Sequence, residues 1–352
     1  MSDPVAARRA AALQLTCALA GLLLVPLALP VANRVLNAPQ LQQTYLPALE
    51  GPRERLPFDS NPIAELAAMN PGYVVIGDSM AGSRIDPKRL SQLSGKSIAP
   101  LLQAGTGPAW WYLALKNWVI PSGIRPRCTF IFFRDTNLTN ALFRLDEQYR
   151  WNVDKVAHER EDEVNAVIAS RSGGALYHVR AAIDRVYQAS ETREWLEPAV
   201  NEWPARLLVP YRRQRAAFLS QMNERLGLSH LRPMDAADIQ AADDRDANFA
   251  RYVDKSFLPL MLRETRQAGL TLCFVRVQRR PLGGRPPYQS PALRRYIAAL
   301  QAHVEANGAL FHDDTGDPWQ ALDLYGDGDH LSRDGRLRYT EIFYNRMRPL
   351  FP

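Results

Sequence analysis

Three short runs in this sequence are apolar almost from end to end, not on alternate residues: 73–76 (Tyr-Val-Val-Ile), 129–133 (Thr-Phe-Ile-Phe-Phe) and 270–277 (Leu-Thr-Leu-Cys-Phe-Val-Arg-Val). A strand with one wet face alternates in polarity. One that is apolar throughout is covered on both faces, the condition of a central strand in a parallel sheet. Parallel neighbours need long crossovers, usually helices. Helical patterns occupy 87–93, 110–119, 291–307 and 333–347, and Pro87 suits a first helical turn. Further strand patterns lie at 97–103 and 309–312. This alternation predicts an α/β fold with a doubly wound parallel sheet and ligands at the carboxyl ends of its strands.

The alternation stops between about 139 and 251. Charged helical segments at 162–170, 175–188 and 206–225 dominate there, with no strand pattern among them. They read as a helical insertion within one domain spanning 72–352. Residues 33–71 read as a proline-containing linker that ends in a short helix at 62–69. With 352 residues, 46% of them hydrophobic, the chain can bury a substantial core.

Residues 10–31 (AAALQLTCALAGLLLVPLALPV) carry no charge. About twenty apolar residues cross a bilayer as a helix. Arg8 and Arg9 precede the run, and positive flanks stay on the cytoplasmic side. The expectation is a single-pass anchor, residues 1–32, in the inner (cytoplasmic) membrane, with everything after it in the periplasm or outside the cell. A cleaved signal peptide is the alternative; the run is long for one, and no small-x-small site follows it. The net charge of +6 suits an anionic lipid surface or polymer. The arginines are scattered, so nucleic acid is not expected as a partner. Of three cysteines, Cys17 lies in the apolar run, while Cys128 and Cys273 lie in strand patterns and read as small buried apolar groups.

Two stretches carry chemistry. In Tyr73-Val74-Val75-Ile76-Gly77-Asp78-Ser79-Met80 a strand stops at a Gly-Asp-Ser turn, and near the other end stands Asp327-Gly328-Asp329-His330. A serine nucleophile needs an imidazole to take its proton and a carboxylate to hold that imidazole in one tautomer. Ser79, His330 and Asp327 supply the three. Singly, each has a plainer reading: Ser79 as a helix N-cap, His330 as a loop histidine, the Asp-Gly-Asp segment as a turn or a calcium loop. A metal site built from these acids and His312-Asp313-Asp314 lacks the usual ligand spacing, and no metal or cofactor is expected. Arg279 and Arg280 follow a strand on the active-site edge, either to meet an anionic substrate or as solvated loop charges. Asn137-Leu138-Thr139 also matches a glycosylation acceptor.

In this order the motifs resemble the SGNH (GDSL) hydrolase superfamily, over roughly residues 72–347 with the helical middle outside the usual pattern. The resemblance implies a flavodoxin-like, three-layer sheet. Gly77-Asp78-Ser79 matches the nucleophile block, and Asp327 with His330 matches the acid–base block. Gln103-Ala104-Gly105-Thr106-Gly107 matches the glycine block loosely, Gln replacing Asn, and makes Gly107 the candidate oxyanion amide. Phe133-Arg134-Asp135-Thr136-Asn137 stands where Gly-x-Asn-Asp is usual; its glycine is absent, and Asn137 is the candidate side-chain donor. Asp78 is expected to tie down the turn.

The segment from Ser79 to Ile85-Asp86-Pro87 also resembles membrane-anchored SGNH proteins of the alginate O-acetylation and teichoic-acid D-alanylation type. These act beside polytopic membrane O-acyltransferases. The resemblance implies a serine acyltransferase that passes an acyl group onto a cell-surface polysaccharide or other envelope polymer. An esterase or deacetylase of the same fold is the second reading, and a non-catalytic assembly or binding protein the third. The insertion begins just after Asn137 and carries Tyr149, Trp151, Trp195, Trp203, Tyr211, Arg212 and Arg213. Rings and guanidinium groups suit sugars or another protein, so it is expected to form one wall of the cleft or a docking surface, although most of these rings are expected simply to pack helices.

Overall fold

The computed structural model describes residues 56–145, 149–158, 161–172, 247–281, 285, 287–326 and 328–351. The run expected as an anchor, the first part of the expected linker, the segments 175–188 and 206–225 expected to be helical, and Asp327 lie outside them. Every described residue belongs to one of the two units into which the chain divides, Leu56–Ser172 with Arg215–Pro352. Among the described residues no helix is long and apolar enough to cross a membrane.

A short helix α1 (Asn61–Met69) leads into strand β1 (Tyr73–Gly77), whose five residues are all buried. Next comes helix α2 (Ser79–Arg84), for which the sequence showed no periodic pattern. It is only six residues long. Asp78 caps it by accepting from the Met80 amide at 2.8 Å. It stops at Ile85 because Pro87 pushes the residue before it out of the helical region, and Asp86 is extended at φ −94°, ψ 110°. Asp86 then caps α3 (Pro87–Ser94) through the Arg89 amide, with proline in the first turn.

Strand β2 (Ile98–Leu102) follows, then α4 (Pro108–Ala114), which continues without a break into a π-helical turn, Leu115–Val119. The helix expected over 110–119 therefore starts two residues earlier and ends in a wider winding. After β3 (Cys128–Phe133) come a 3-10 turn (Asn137–Thr139), α5 (Arg150–Val156) and α6 (Asp162–Ser172). The chain resumes with α7 (Phe249–Tyr252), α8 (Leu258–Gln267), β4 (Leu272–Arg276), α9 (Pro291–Ala306), β5 (Leu310–Asp313) and α10 (Arg333–Arg346).

All pairings are parallel, in the order β2-β1-β3-β4-β5. This is the flavodoxin-like doubly wound order, and its switch point lies between β1 and β3. The three inner strands are buried on both faces, as their unbroken apolar runs require. On one face Tyr73, Val75, Phe130, Phe132, Cys273 and Val275 pack with Tyr339 and Phe343 of α10 and with Phe351. On the other, Val74, Ile76, Ile131 and Phe274 are equally enclosed. The edge strands β2 and β5 are partly exposed. Cys128 and Cys273 are free thiols buried in this core.

Candidate functional site

The carboxyl ends of β2, β1 and β3 lie side by side, with Ile76 registered against Leu101 on one side and Ile131 on the other. Three expected site residues follow these ends: Gly107 after β2, Ser79 after β1 and Asn137 after β3. Ser79 is the first residue of α2, half-buried, and the capping role belongs to Asp78. The serine hydroxyl is thus left for another partner. That partner is His330: its Nε2 and Ser79 Oγ are 2.9 Å apart, across 251 positions of sequence. This is the reach a general base needs.

His330 is held by a tight return of the chain. Its carbonyl accepts from the Gly326 amide at 2.9 Å, and Tyr325 bridges Leu331 in antiparallel fashion. Gly328, at φ +54°, takes a left-handed conformation within this turn. Asp327, the expected acid, lies outside the described residues. Among the described residues Asp329 makes no hydrogen bond to the imidazole. It is buried and serves as the anchor of the turn, its Oδ2 accepting from Arg134 Nη1 at 2.7 Å and its Oδ1 from the Arg280 amide at 2.8 Å. Arg134, in the segment where the usual glycine is missing, thereby ties the exit of β3 to the histidine turn. The Asp329 carbonyl accepts in addition from Arg84 Nη1 at 3.1 Å.

Asp78 ties its turn down as expected, and more firmly: besides the cap it receives Arg144 Nη1 at 3.0 Å. Arg144 lies 4.8 Å from the centroid of the Phe143 ring and 5.7 Å from that of Tyr149. The glycine block meets the same segment. A Cβ on Gly105 would come 2.9 Å from the Tyr149 ring, and Asn152 Nδ2 donates to the Ala104 carbonyl at 3.2 Å. The described start of the segment expected as an insertion therefore borders the glycine block, with Trp151 exposed; Trp195, Trp203, Tyr211, Arg212 and Arg213 lie outside the described residues.

Gly107 is the N-cap residue of α4, and the first amides of a helix have no acceptor within it. The same holds for the Ser79 amide at the start of α2. A Cβ on Gly107 would lie 2.3 Å from the Phe143 carbonyl oxygen, so no other residue fits without moving one of the two segments. Gly107→Ala is expected to lower turnover about 100-fold, since a shift of roughly 1 Å at a catalytic group has that effect. Wild-type turnover in a folded Gly107→Ala protein would remove the residue from the site. Asn137 opens the 3-10 turn after β3; its amide donates to the Arg134 carbonyl at 2.9 Å and its side chain is half-buried.

The arginines expected to face substrate or solvent divide differently. Arg279 is nearly buried and pairs with Asp135, which also receives Arg276. Burial alone would raise the Asp135 carboxyl, but the two guanidinium groups outweigh it and hold its pKa below the ordinary value. Asp135 takes a left-handed backbone conformation, φ +46°, held by this pair of partners. His312 Nε2 shares a 2.8 Å hydrogen bond with Asp314 Oδ1, and the buried Asp314 also accepts from Tyr339, so these groups already engage one another. Thr139 of the glycosylation-like motif is buried against Tyr296 at 2.7 Å. Arg84, Arg134, Arg144 and Asp329 were not anticipated as site residues. Each acts through a partner distant in sequence, and no local pattern marks it.

No protein-family model and no curated protein matches the sequence. Several solved structures are similar to it, three of them as follows. One is a protein assigned to the G-D-S-L lipolytic family from Desulfitobacterium hafniense, at 9% identity over 78% of this chain and 97% of that one, TM-score 0.35. Another is a protein assigned as an acylhydrolase from Bacteroides fragilis, at 11% identity over 82% and 95%, TM-score 0.36. The third is a GDSL-like lipase from Bacteroides thetaiotaomicron, at 11% identity over 82% and 97%, TM-score 0.35.

Proposed function

We propose that the chain is a membrane-anchored serine O-acyltransferase that loads an acyl group on Ser79 and delivers it to a hydroxyl of a cell-envelope polymer. The observation that carries the chemistry is the 2.9 Å contact between Ser79 Oγ and His330 Nε2 at the carboxyl edge of the sheet. Ser79 Oγ attacks the acyl carbonyl carbon while His330 takes the hydroxyl proton. The tetrahedral adduct collapses, the donor's leaving group departs with that proton, and Ser79 keeps the acyl group. An acceptor hydroxyl then gives its proton to His330 and attacks the same carbon, and Ser79 leaves with the proton. Asp327 is proposed to hold the imidazole, and the Ser79 and Gly107 amides with the Asn137 carboxamide to stabilise the oxyanion.

Transfer is favoured over hydrolysis by the apolar run behind Arg8 and Arg9, which would keep the site beside an envelope polymer, and by the basic balance of the chain. The insertion bordering the glycine block offers Trp151 as a ring on which a polymer could rest. A polytopic membrane acyltransferase is the proposed donor of the acyl group.

The test uses the full-length chain, an activated acetyl ester, and candidate envelope polysaccharides. The expected result is an acetylated peptide containing Ser79, detected by mass, that is discharged to polymer faster than to water. Free acetate with no polymer product would establish the esterase reading, and no mass change at Ser79 would defeat both. A carboxyl-terminal reporter is expected to be active only outside the cytoplasm; activity inside would remove the anchor and the membrane partnership.

A further inference from the structure

We infer that Arg84 is the positioning residue that sets the Ser79–His330 hydrogen bond, an inference that rests on the serine chemistry proposed above. Arg84 closes the same six-residue helix that Ser79 opens, and it is wholly buried, at 0% exposure. Among the described residues its guanidinium makes three hydrogen bonds, to main-chain carbonyls of three different segments. Nη1 reaches Met80, the residue after the nucleophile, at 3.2 Å, and Asp329, the residue before the base, at 3.1 Å. Nη2 reaches Gln278, just past the end of β4, at 2.7 Å. One planar group therefore joins the nucleophile helix, the histidine turn and the sheet.

Its surroundings are those of a spacer held in place. The rings of Tyr325 and Tyr339 lie 5.9 and 6.0 Å from Arg84 Cζ. Burial raises the pKa of both phenols, so neither supplies a counter-charge. Among the described residues no carboxylate pairs with Arg84, and its Nε has no acceptor. A buried cation without a counter-ion is expensive, and an apolar side chain would fill the same volume without that penalty. What an apolar chain lacks is a fork of rigid donors able to fix two backbone segments at once. The histidine turn has its own anchor in Asp329, through Arg134 and the Arg280 amide, but those bonds fix it to β3 and β4. Among the described residues, Arg84 fixes it to the helix carrying Ser79.

The test measures phosphonylation of full-length protein by a fluorophosphonate. The Ser79 O–P bond forms, the P–F bond breaks, fluoride leaves, and His330 takes the hydroxyl proton. In Arg84→Met the limiting labelling rate, per folded molecule as judged by thermal melting and circular dichroism, is expected to fall about 100-fold. The concentration giving half the limiting rate should stay within twofold, because Arg84 does not face the reagent. Arg84→Lys, which keeps the charge and one or two of the donors, is expected to recover about tenfold of that loss. A purely packing role would lower the melting temperature and leave the labelling rate of the folded fraction unchanged, which would overturn the inference. If Arg84→Met does not fold, Arg84→Lys decides alone: an unchanged limiting rate overturns the inference, a reduced one with unchanged half-saturation supports it. Failure of the unsubstituted chain to label at Ser79 overturns the serine chemistry itself and this inference with it, whereas normal labelling in folded Arg84→Met overturns only the role of Arg84.

Discussion

Ser79→Ala is expected to remove acyl transfer and acyl hydrolysis by a factor on the order of 10⁴–10⁶, with the thermal unfolding of the protein unchanged. The two halves of this expectation come from one piece of geometry. The side chain that satisfies the start of α2 is Asp78, through the Met80 amide, so the serine hydroxyl has no capping role to lose. Its hydrogen bond is to His330 Nε2. Removing it deletes the nucleophile and leaves the imidazole half-exposed to water, where it remains solvated. A Ser79→Ala protein that kept turnover within tenfold of the parent would end the reading of this edge as a serine site. One that lost its fold would show that the hydroxyl matters to the turn. Asp78→Ala is the informative contrast, because it removes both the cap and the Arg144 pair and should lower stability as well as activity.

The second large effect concerns the charge cluster beneath the β3 exit. Arg276→Met is expected to lower stability by about 3–5 kcal/mol at neutral pH, the usual effect of breaking a buried ion pair. Arg276 is 1% exposed and reaches Asp135 at 2.6 Å, Gln289 at 2.9 Å and Asp313 at 3.0 Å. Without it Asp135 keeps, among the described residues, Arg279 as its one cationic partner in an enclosed site. The pH dependence has a definite sign. Asp135 has a folded pKa below its unfolded value of about 3.9. Its contribution is therefore fully present above that unfolded value, and it is lost as pH falls through the folded pKa. Denaturant titrations of the two proteins should differ most near pH 7 and converge only as pH falls from about 4 through the lower folded pKa, where Asp135 becomes protonated and no longer needs its cation. A difference constant across that range would mean that Arg276 acts by packing alone. Because Asp135 stands two residues before Asn137, the variant should also lose activity, by loosening the turn that carries the proposed donor.

Much of the fold could be read locally. Unbroken apolar runs at 73–76, 129–133 and 270–277 became the three inner strands, and Pro87 and the expected final helix opened where the pattern indicated. Such features are legible because side-chain periodicity and capping depend on residues within a turn or two of each other. The short helix α2 escaped notice since six residues carry too little periodicity, and α8 since its pattern lay against a stretch already read as insertion. The serine, the histidine and the order of their motifs were likewise visible in the chain.

Their relation was not. The 2.9 Å approach of Ser79 to His330, the anchoring of Asp329 by Arg134, the withdrawal of Arg279 into a pair with Asp135, and the hold of Arg84 on the Asp329 and Gln278 carbonyls join segments far apart in sequence. A charged residue reads alike in sequence whether it is solvated on a loop or enclosed between two strands' ends. The difference lies in desolvation and in which carbonyl or carboxylate the folded chain brings within about 3 Å, a distance set by the strand order β2-β1-β3-β4-β5. The residue types and their sequence thus determined the strands and the reactive groups; the sheet's order and the buried arginines decided how those groups meet.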